Sequence, residues 1–221
     1  MLKKLLSYLF PVKIYQKTSA LSKNLEISWN NGQLVLDSKN TNYSYGSLQR
    51  ILRKGLKKIG FNRIRAMDSI LILGVAGGSV IKTLVDEIAY NGKITGVEID
   101  SEIIEIANKY FKLNEISNLK IINDDAFEFV LKTKSKYDLI IIDVFQDTTM
   151  PNFLFEKFFM NRIGKLLKIN SCILFNTMLL NEKDNLRNEK YIAEFNNKPF
   201  KVKKIPRIES HNELIIIEKY C

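Results

Sequence analysis

The chain of 221 residues contains only two cysteines and one histidine. Cys172 and Cys221 are too few and too far apart for a disulfide framework, and a lone His211 without a cysteine pair leaves no zinc constellation, so no metal is expected. A reducing, cytoplasmic setting fits that cysteine usage. No apolar stretch approaches the roughly 18 residues that a membrane span needs. The opening MLKKLLSYLF is short, is interrupted by Pro11 and lacks a small-residue cleavage site, so neither secretion nor membrane spanning is expected. No period of about 20 to 50 residues repeats, and no low-complexity tract occurs. What remains is the composition of a single globular domain, 46% hydrophobic and 26% charged, which can bury a sizeable core.

Acidic residues are scarce in one part of the chain. Residues 1–66 hold 13 of the 34 Lys+Arg and 2 of the 24 Asp+Glu, leaving 21 and 22 for residues 67–221. The formal net charge of +10 therefore belongs wholly to the first 66 residues. Two readings stay open for it: solvated basic faces, or a basic arm that steers an anionic partner.

The pattern also changes near residue 66. Ahead of it, LEISW and QLVLD flank Asn30-Asn31-Gly32, a turn that predicts a β-hairpin. Tyr43 to Lys58 reads as a basic helix. Two units are expected, 1–66 as a basic segment with a β-hairpin and helix, and 67–221 as a Rossmann-like domain. In the second, short apolar runs alternate with amphipathic stretches. Ser69–Val75, Ile94–Ile99, Leu119–Ile122, Tyr137–Asp143 and Cys172–Asn176 are strand candidates. Ile81, Leu84, Val85 and Ile88 recur at helical spacing, as do Ile103, Ile104 and Ala107. LIIID shows no alternation, as expected of a strand buried on both faces of a parallel sheet. Phe200–Ile205 and Glu213–Lys219 suggest an antiparallel pair closing that sheet. The fold class predicted is α/β, doubly wound and mainly parallel, and such sheets bind ligands beyond the carboxyl ends of their strands.

The strand ends carry distinctive residues. The first runs into Gly74-Val75-Ala76-Gly77-Gly78-Ser79, where small residues serve either a tight turn or the close approach of a ligand to backbone N–H groups. The second ends in Glu98 and Asp100, with Glu98 about 20 residues past the glycines, where an acid can accept both hydroxyls of a ribose. Asp100, just before Ser101, suits a helix N-terminus. The third ends in Asp124-Asp125, one of them a candidate helix cap. The fourth ends in Asp143, which no capping role explains, followed by Asp147. Phe153, Phe155, Phe158 and Phe159 read as core residues, Trp29 as hairpin packing and His211 as a solvated loop residue.

Taken together, LGVAGGSV, GVEID, DDAFEFV and YDLIIIDVFQD resemble the class I S-adenosylmethionine-dependent methyltransferase fold, and more narrowly the spermidine synthase family. The resemblance spans roughly residues 25–180, the hairpin included. It implies a transferase that moves an aminopropyl group from decarboxylated S-adenosylmethionine, or a methyl group from S-adenosylmethionine itself, to a small acceptor such as an amine. It implies that Gly74, Ala76, Gly77 and Gly78 line the donor's tail, that Glu98 holds its ribose, and that Asp125 accepts from the adenine amino group with Asp100 and Asp124 beside it. Asp143 matches the family's catalytic aspartate, which orients and deprotonates the attacking amine. Asp147 and Tyr45 are candidates for the acceptor side. The family's Asp-x-x-Asp-Pro run is absent, since Asp147 stands four residues after Asp143 with no proline behind it. A methyltransferase of another substrate is the alternative, and a nucleotide- or RNA-binding module using Arg50, Arg53, Lys54, Lys57 and Lys58 a remote one. The basic helix offers too few interleaved aromatics for a stacking platform, so nucleic acid is not the expected partner. Oligomeric state stays open, a homodimer included.

Overall fold

Runs of apolar residues without alternation build the centre of the molecule, seen in a computed structural model that describes residues 2–19, 21–22, 24–38, 42–145, 149–209 and 211–220. In chain order the elements are α1 (Leu2–Leu6), β1 (Val12–Lys17), β2 (Leu25–Asn30), β3 (Gln33–Asp37), β4 (Asn42–Ser44), α2 (Gly46–Ile59), α3 (Phe61–Arg65), β5 (Ser69–Leu73), α4 (Ser79–Lys82), β6 (Lys93–Glu98), α5 (Ser101–Phe111), β7 (Leu119–Asn123), α6 (Ala126–Lys132), β8 (Tyr137–Ile142), α7 (Lys157–Lys165), β9 (Leu167–Met178), α8 (Glu182–Phe195), β10 (Phe200–Ile208) and β11 (Asn212–Lys219). A π-helical turn over Thr83–Glu87 continues α4.

Seven strands form one sheet in the order β10-β11-β9-β8-β5-β6-β7. The pairings from β9 to β7 are parallel, and β11 runs antiparallel to both β9 and β10. This is the doubly wound sheet with an antiparallel end that the patterning predicts. Alternate strand residues supply two cores. Leu139 and Ile141 pack on one face with α2, α4 and α5, while Ile140 and Ile142 pack on the other with α6, α7 and α8. A strand sandwiched in this way has no solvent face, hence the unbroken LIII run.

A second, four-stranded antiparallel sheet, β1-β2-β3-β4, contains the hairpin. Asn31 and Gly32 turn it at φ values of 48° and 75°, both in the left-handed region that such a two-residue turn requires. This sheet packs Leu25, Ile27 and Leu36 onto Ile103, Ile106 and Phe111 of α5.

Several details differ from expectation. The basic helix starts at Gly46 rather than Tyr43, because Asn42–Ser44 pairs with β3. The fifth strand of the large sheet begins at Leu167, hidden in the sequence by the polar residues Lys168, Asn170 and Ser171 and by a register break opposite Tyr137 and Leu139. Phe158 is not core but 63% exposed, whereas Phe159 is buried and Phe153 and Phe155 pack against the core. Helix α2 lies so close to β9 that a Cβ on Gly55 would meet Leu174 at 2.6 Å. The proposed boundary at residue 66 thus separates stretches of chain whose apolar faces share one core. No helix among the described residues is long and apolar enough to cross a membrane.

Candidate active site at the strand ends

Because β5, β6, β7 and β8 are parallel neighbours, their carboxyl ends share one rim. A cavity of ≈ 420 Å³ opens there, of a size suited to a small ligand. Gly74, Ala76, Glu98, Asp100, Asp124, Asp125 and Asp143 all line it, together with apolar walls from Ile99, Ile103, Phe145, Phe153 and Met178. Leu21 and Ser22, from the β1–β2 connection, and Ser47, Leu48 and Ile51 of α2 close it from the N-terminal side.

Glu98 ends β6 and is 7% exposed. Its Oε2 accepts from the backbone N–H groups of Val75 and Ala76, both at 3.0 Å, and its Oε1 accepts from that of Asp100 at 3.1 Å. The glycine-rich turn after β5 is therefore tied to the acid after β6. A carboxylate offers about four acceptor positions, and three are filled by backbone, which leaves one for a ligand. Burial pushes the Glu98 carboxyl above its ordinary range, and the three N–H donors oppose that shift.

Asp100 caps α5 by accepting from Glu102 N at 3.0 Å, and its other oxygen accepts from the Ser19 hydroxyl. Asp125 caps α6, accepting from Phe127 N at 2.7 Å, while Asp124 accepts from Asp125 N at 2.9 Å. Capping, which the sequence suggested for Asp100 and for one of Asp124 and Asp125, and cavity lining are thus both served by Asp100 and Asp125.

Asp143 follows β8. Its Oδ1 accepts from Asn176 Nδ2 at 2.8 Å, and Asn176 Oδ1 accepts in turn from Asn212 Nδ2 at 3.0 Å. Asp143 is part-buried and lines the cavity. That burial, with the nearby charge of Glu98, pushes its carboxyl up to about 6, against the lowering effect of the Asn176 bond. A part-buried carboxyl raised in this way at the wall of a cavity is the kind of group a proton-transfer site needs.

Not every anticipated residue reaches the cavity. Gly77 and Gly78 are not among the residues that line it. A Cβ on Gly77 would lie 2.8 Å from Ser44 Cβ, and one on Gly78 would meet Leu113, so packing alone already requires a residue without a side chain at both positions. Tyr45 stands outside as well, its ring stacked on Phe111 with centroids 4.8 Å apart. Asp147 lies outside the described residues. His211 is exposed. Conversely, Asn176 and Asn212 were not singled out by sequence reasoning. The available signal was Asn176, a lone polar residue closing the otherwise apolar CILFN run. Asn123, whose Nδ2 donates to the backbone oxygens of Glu98 and Ile99, was missed for want of any signal.

Comparison with known proteins bears on this arrangement. The family model described as spermine/spermidine synthase domain matches residues 50–214, about three quarters of the chain. A polyamine aminopropyltransferase of Vibrio vulnificus is 29% identical over 152 residues, covering 67% of this chain and 50% of that protein. One of Thermoplasma acidophilum is 30% identical over 115 residues, covering 50% and 41%. The chain thus spans about half or less of the length of these curated relatives. Among solved structures, a probable spermidine synthase from Corynebacterium glutamicum superposes with a TM-score of 0.74 at 16% identity, covering 94% of this chain and 79% of that one. A spermidine synthase in complex with a transition-state analogue gives 0.71 at 18% identity, covering 94% and 72%. Human methyltransferase-like protein 13 gives 0.65 at 20%, covering 80% and 83%. At such identities the superpositions speak for the methyltransferase-like fold.

Proposed function

Because the chain belongs to the spermine/spermidine synthase family, we propose that it moves an aminopropyl group from decarboxylated S-adenosylmethionine to an amine acceptor. One observation carries this choice of donor. Five carboxylates, Glu98, Asp100, Asp124, Asp125 and Asp143, line the cavity, and no lysine, arginine or histidine does so among the described residues. The α-carboxylate of intact S-adenosylmethionine would have to leave water in that acidic field without a cationic partner, which is costly. The decarboxylated donor and a protonated amine acceptor carry only positive charge there, and acids suit both.

The residues fit such a donor. Glu98 has one acceptor position left for a ribose hydroxyl, Asp125 at the cavity wall would accept from an adenine amino group, and Ile99 and Ile103 offer apolar surface for the base. The donor supplies a carbon activated by its sulfonium, and the C–S bond breaks as the amine forms its C–N bond. Asp143 accepts the proton that the amine nitrogen sheds. Orientation of the two reactants accounts for most of what the protein must add.

The test is to incubate the protein with putrescine and either donor, and to identify the products by mass spectrometry. Spermidine and methylthioadenosine from the decarboxylated donor alone are expected. Methylated product from S-adenosylmethionine, or no transfer from either donor, would overturn the proposal.

A further inference from the structure

Asp143 is not held by its own strand alone. Asn176, near the end of β9, is wholly buried, and its amide has two ends that can present either a donor or an acceptor. Asn212 Nδ2 donates to Asn176 Oδ1 at 3.0 Å, which leaves the Asn176 NH₂ end for Asp143 Oδ1 at 2.8 Å. The partnership follows from register. Asn176 pairs with Leu214, so Asn212, two residues earlier on β11, lies diagonally across on the same face. The opposite face secures that register, since Thr177 Oγ1 donates to Glu213 O at 2.9 Å and Asn188 Nδ2 donates to Glu213 Oε1 at 3.1 Å.

We infer that Asn176 and Asn212 are positioning residues that hold Asp143 as a hydrogen-bond acceptor, with Oδ1 engaged and Oδ2 left for the acceptor amine. Without Asn212 the Asn176 amide is free to turn and present its oxygen, a partner that only a protonated Asp143 could satisfy. Among the described residues lining the cavity, no cationic side chain opposes protonation. The charged groups there are Glu98 and Asp100 at the end of β6 and Asp124 and Asp125 beyond β7, all acids, while α2 contributes Ser47, Leu48 and Ile51. Asp147 lies outside the described residues. The relay is therefore the one described feature at the site that favours the carboxylate, and burial together with the Glu98 charge works against it. The mechanistic role rests on the aminopropyl-transfer proposal, but the relay itself does not.

The experiment is an NMR titration of the ligand-free full chain carrying carboxyl-labelled aspartate, with Asp143→Asn assigning the resonance. Losing a hydrogen bond to a charged group is expected to raise the Asp143 midpoint by roughly one pH unit in Asn176→Leu. Asn212→Ala is expected to raise it in the same direction with Asn176 still present, and Asn212→Ser, which keeps a donor, to bring it back toward the wild-type value. Asn212 is only half-buried at the start of its strand, so its variants decide the matter even if Asn176→Leu does not fold. An unchanged midpoint in Asn212→Ala would overturn the relay, whatever the protein catalyses. A shifted midpoint without transfer from either donor would leave the relay standing and refute the proposed function. Where transfer is found, the acid limb of kcat/KM should move with the midpoint while donor affinity is retained.

Discussion

A Cβ placed on Gly74 would stand 2.2 Å from the carbonyl oxygen of Asp143. The two residues end neighbouring strands, and Asp143 N donates to Leu73 O at 2.9 Å just beside them. Gly74 also has a φ of 85°, a conformation that side-chain-bearing residues rarely adopt. Gly74→Ala is therefore expected to destabilise the fold by about 1–3 kcal/mol and to displace Asp143. Thermal unfolding would show the first effect, and a loss of turnover beyond the loss of folded protein would show the second.

Glu98 holds the glycine-rich turn by two backbone bonds and the start of the next loop by a third. Glu98→Ala leaves three N–H groups without their acceptor, and removes the free position offered to a ribose. Affinity for any S-adenosyl sulfonium compound should fall by about 10- to 150-fold, given roughly 1.5–3 kcal/mol for the one hydrogen bond to a charged group that is lost. Calorimetric titration of the folded variant measures this, and unchanged affinity would remove Glu98 from the binding site.

For Asp143 the sign of the pH effect follows from its raised value of about 6. A carboxyl held above its unfolded value of 3.8 binds more protons in the native state between those two pH values, so stability falls as pH rises from about 4 to 6 and stays lower above that range. Asp143→Asn removes this ionisation. The variant should gain stability relative to wild type at pH 8, on the order of 3 kcal/mol at most, and much less at pH 4. Turnover should fall by about 10²–10⁴ with donor binding kept. In the wild type, activity should rise with pH through a midpoint near 6 as the carboxylate forms. Paired denaturation and rate measurements across pH check both halves.

Tyr45 provides a contrast. Its ring packs on Phe111 outside the cavity, and burial raises the pKa of its hydroxyl. Tyr45→Phe keeps the stacked ring and changes no residue that lines the cavity, so donor affinity and turnover are expected to stay within about twofold of wild type. A tenfold loss in either would return Tyr45 to the site.

The central sheet was legible because its residues obey simple periodicities. LIIID lacks alternation, and strand ends of a parallel sheet must share a rim, so Glu98, Asp100, Asp124, Asp125 and Asp143 could be brought together from spacing alone. Gly77 and Gly78 are not among the cavity-lining residues, and in sequence a small residue in a turn looks the same whether it faces a ligand or, as here, backs onto Ser44 and Leu113. The start of β9 was obscured by polar residues preceding its buried half. Asn212 carried no signal, because its partner Asn176 is 36 residues away and only the register of β11 on β9 joins them. Pairwise contacts of that range are set by topology, which single-sequence patterning reports only coarsely.

The choice of donor is tested most directly by calorimetric titration of the full chain with decarboxylated S-adenosylmethionine and, separately, with S-adenosylmethionine. With five acids and no described base lining the cavity, the decarboxylated compound should bind at least about tenfold more tightly, a difference of roughly 1.4 kcal/mol. Equal affinity, or a preference for intact S-adenosylmethionine, would contradict it.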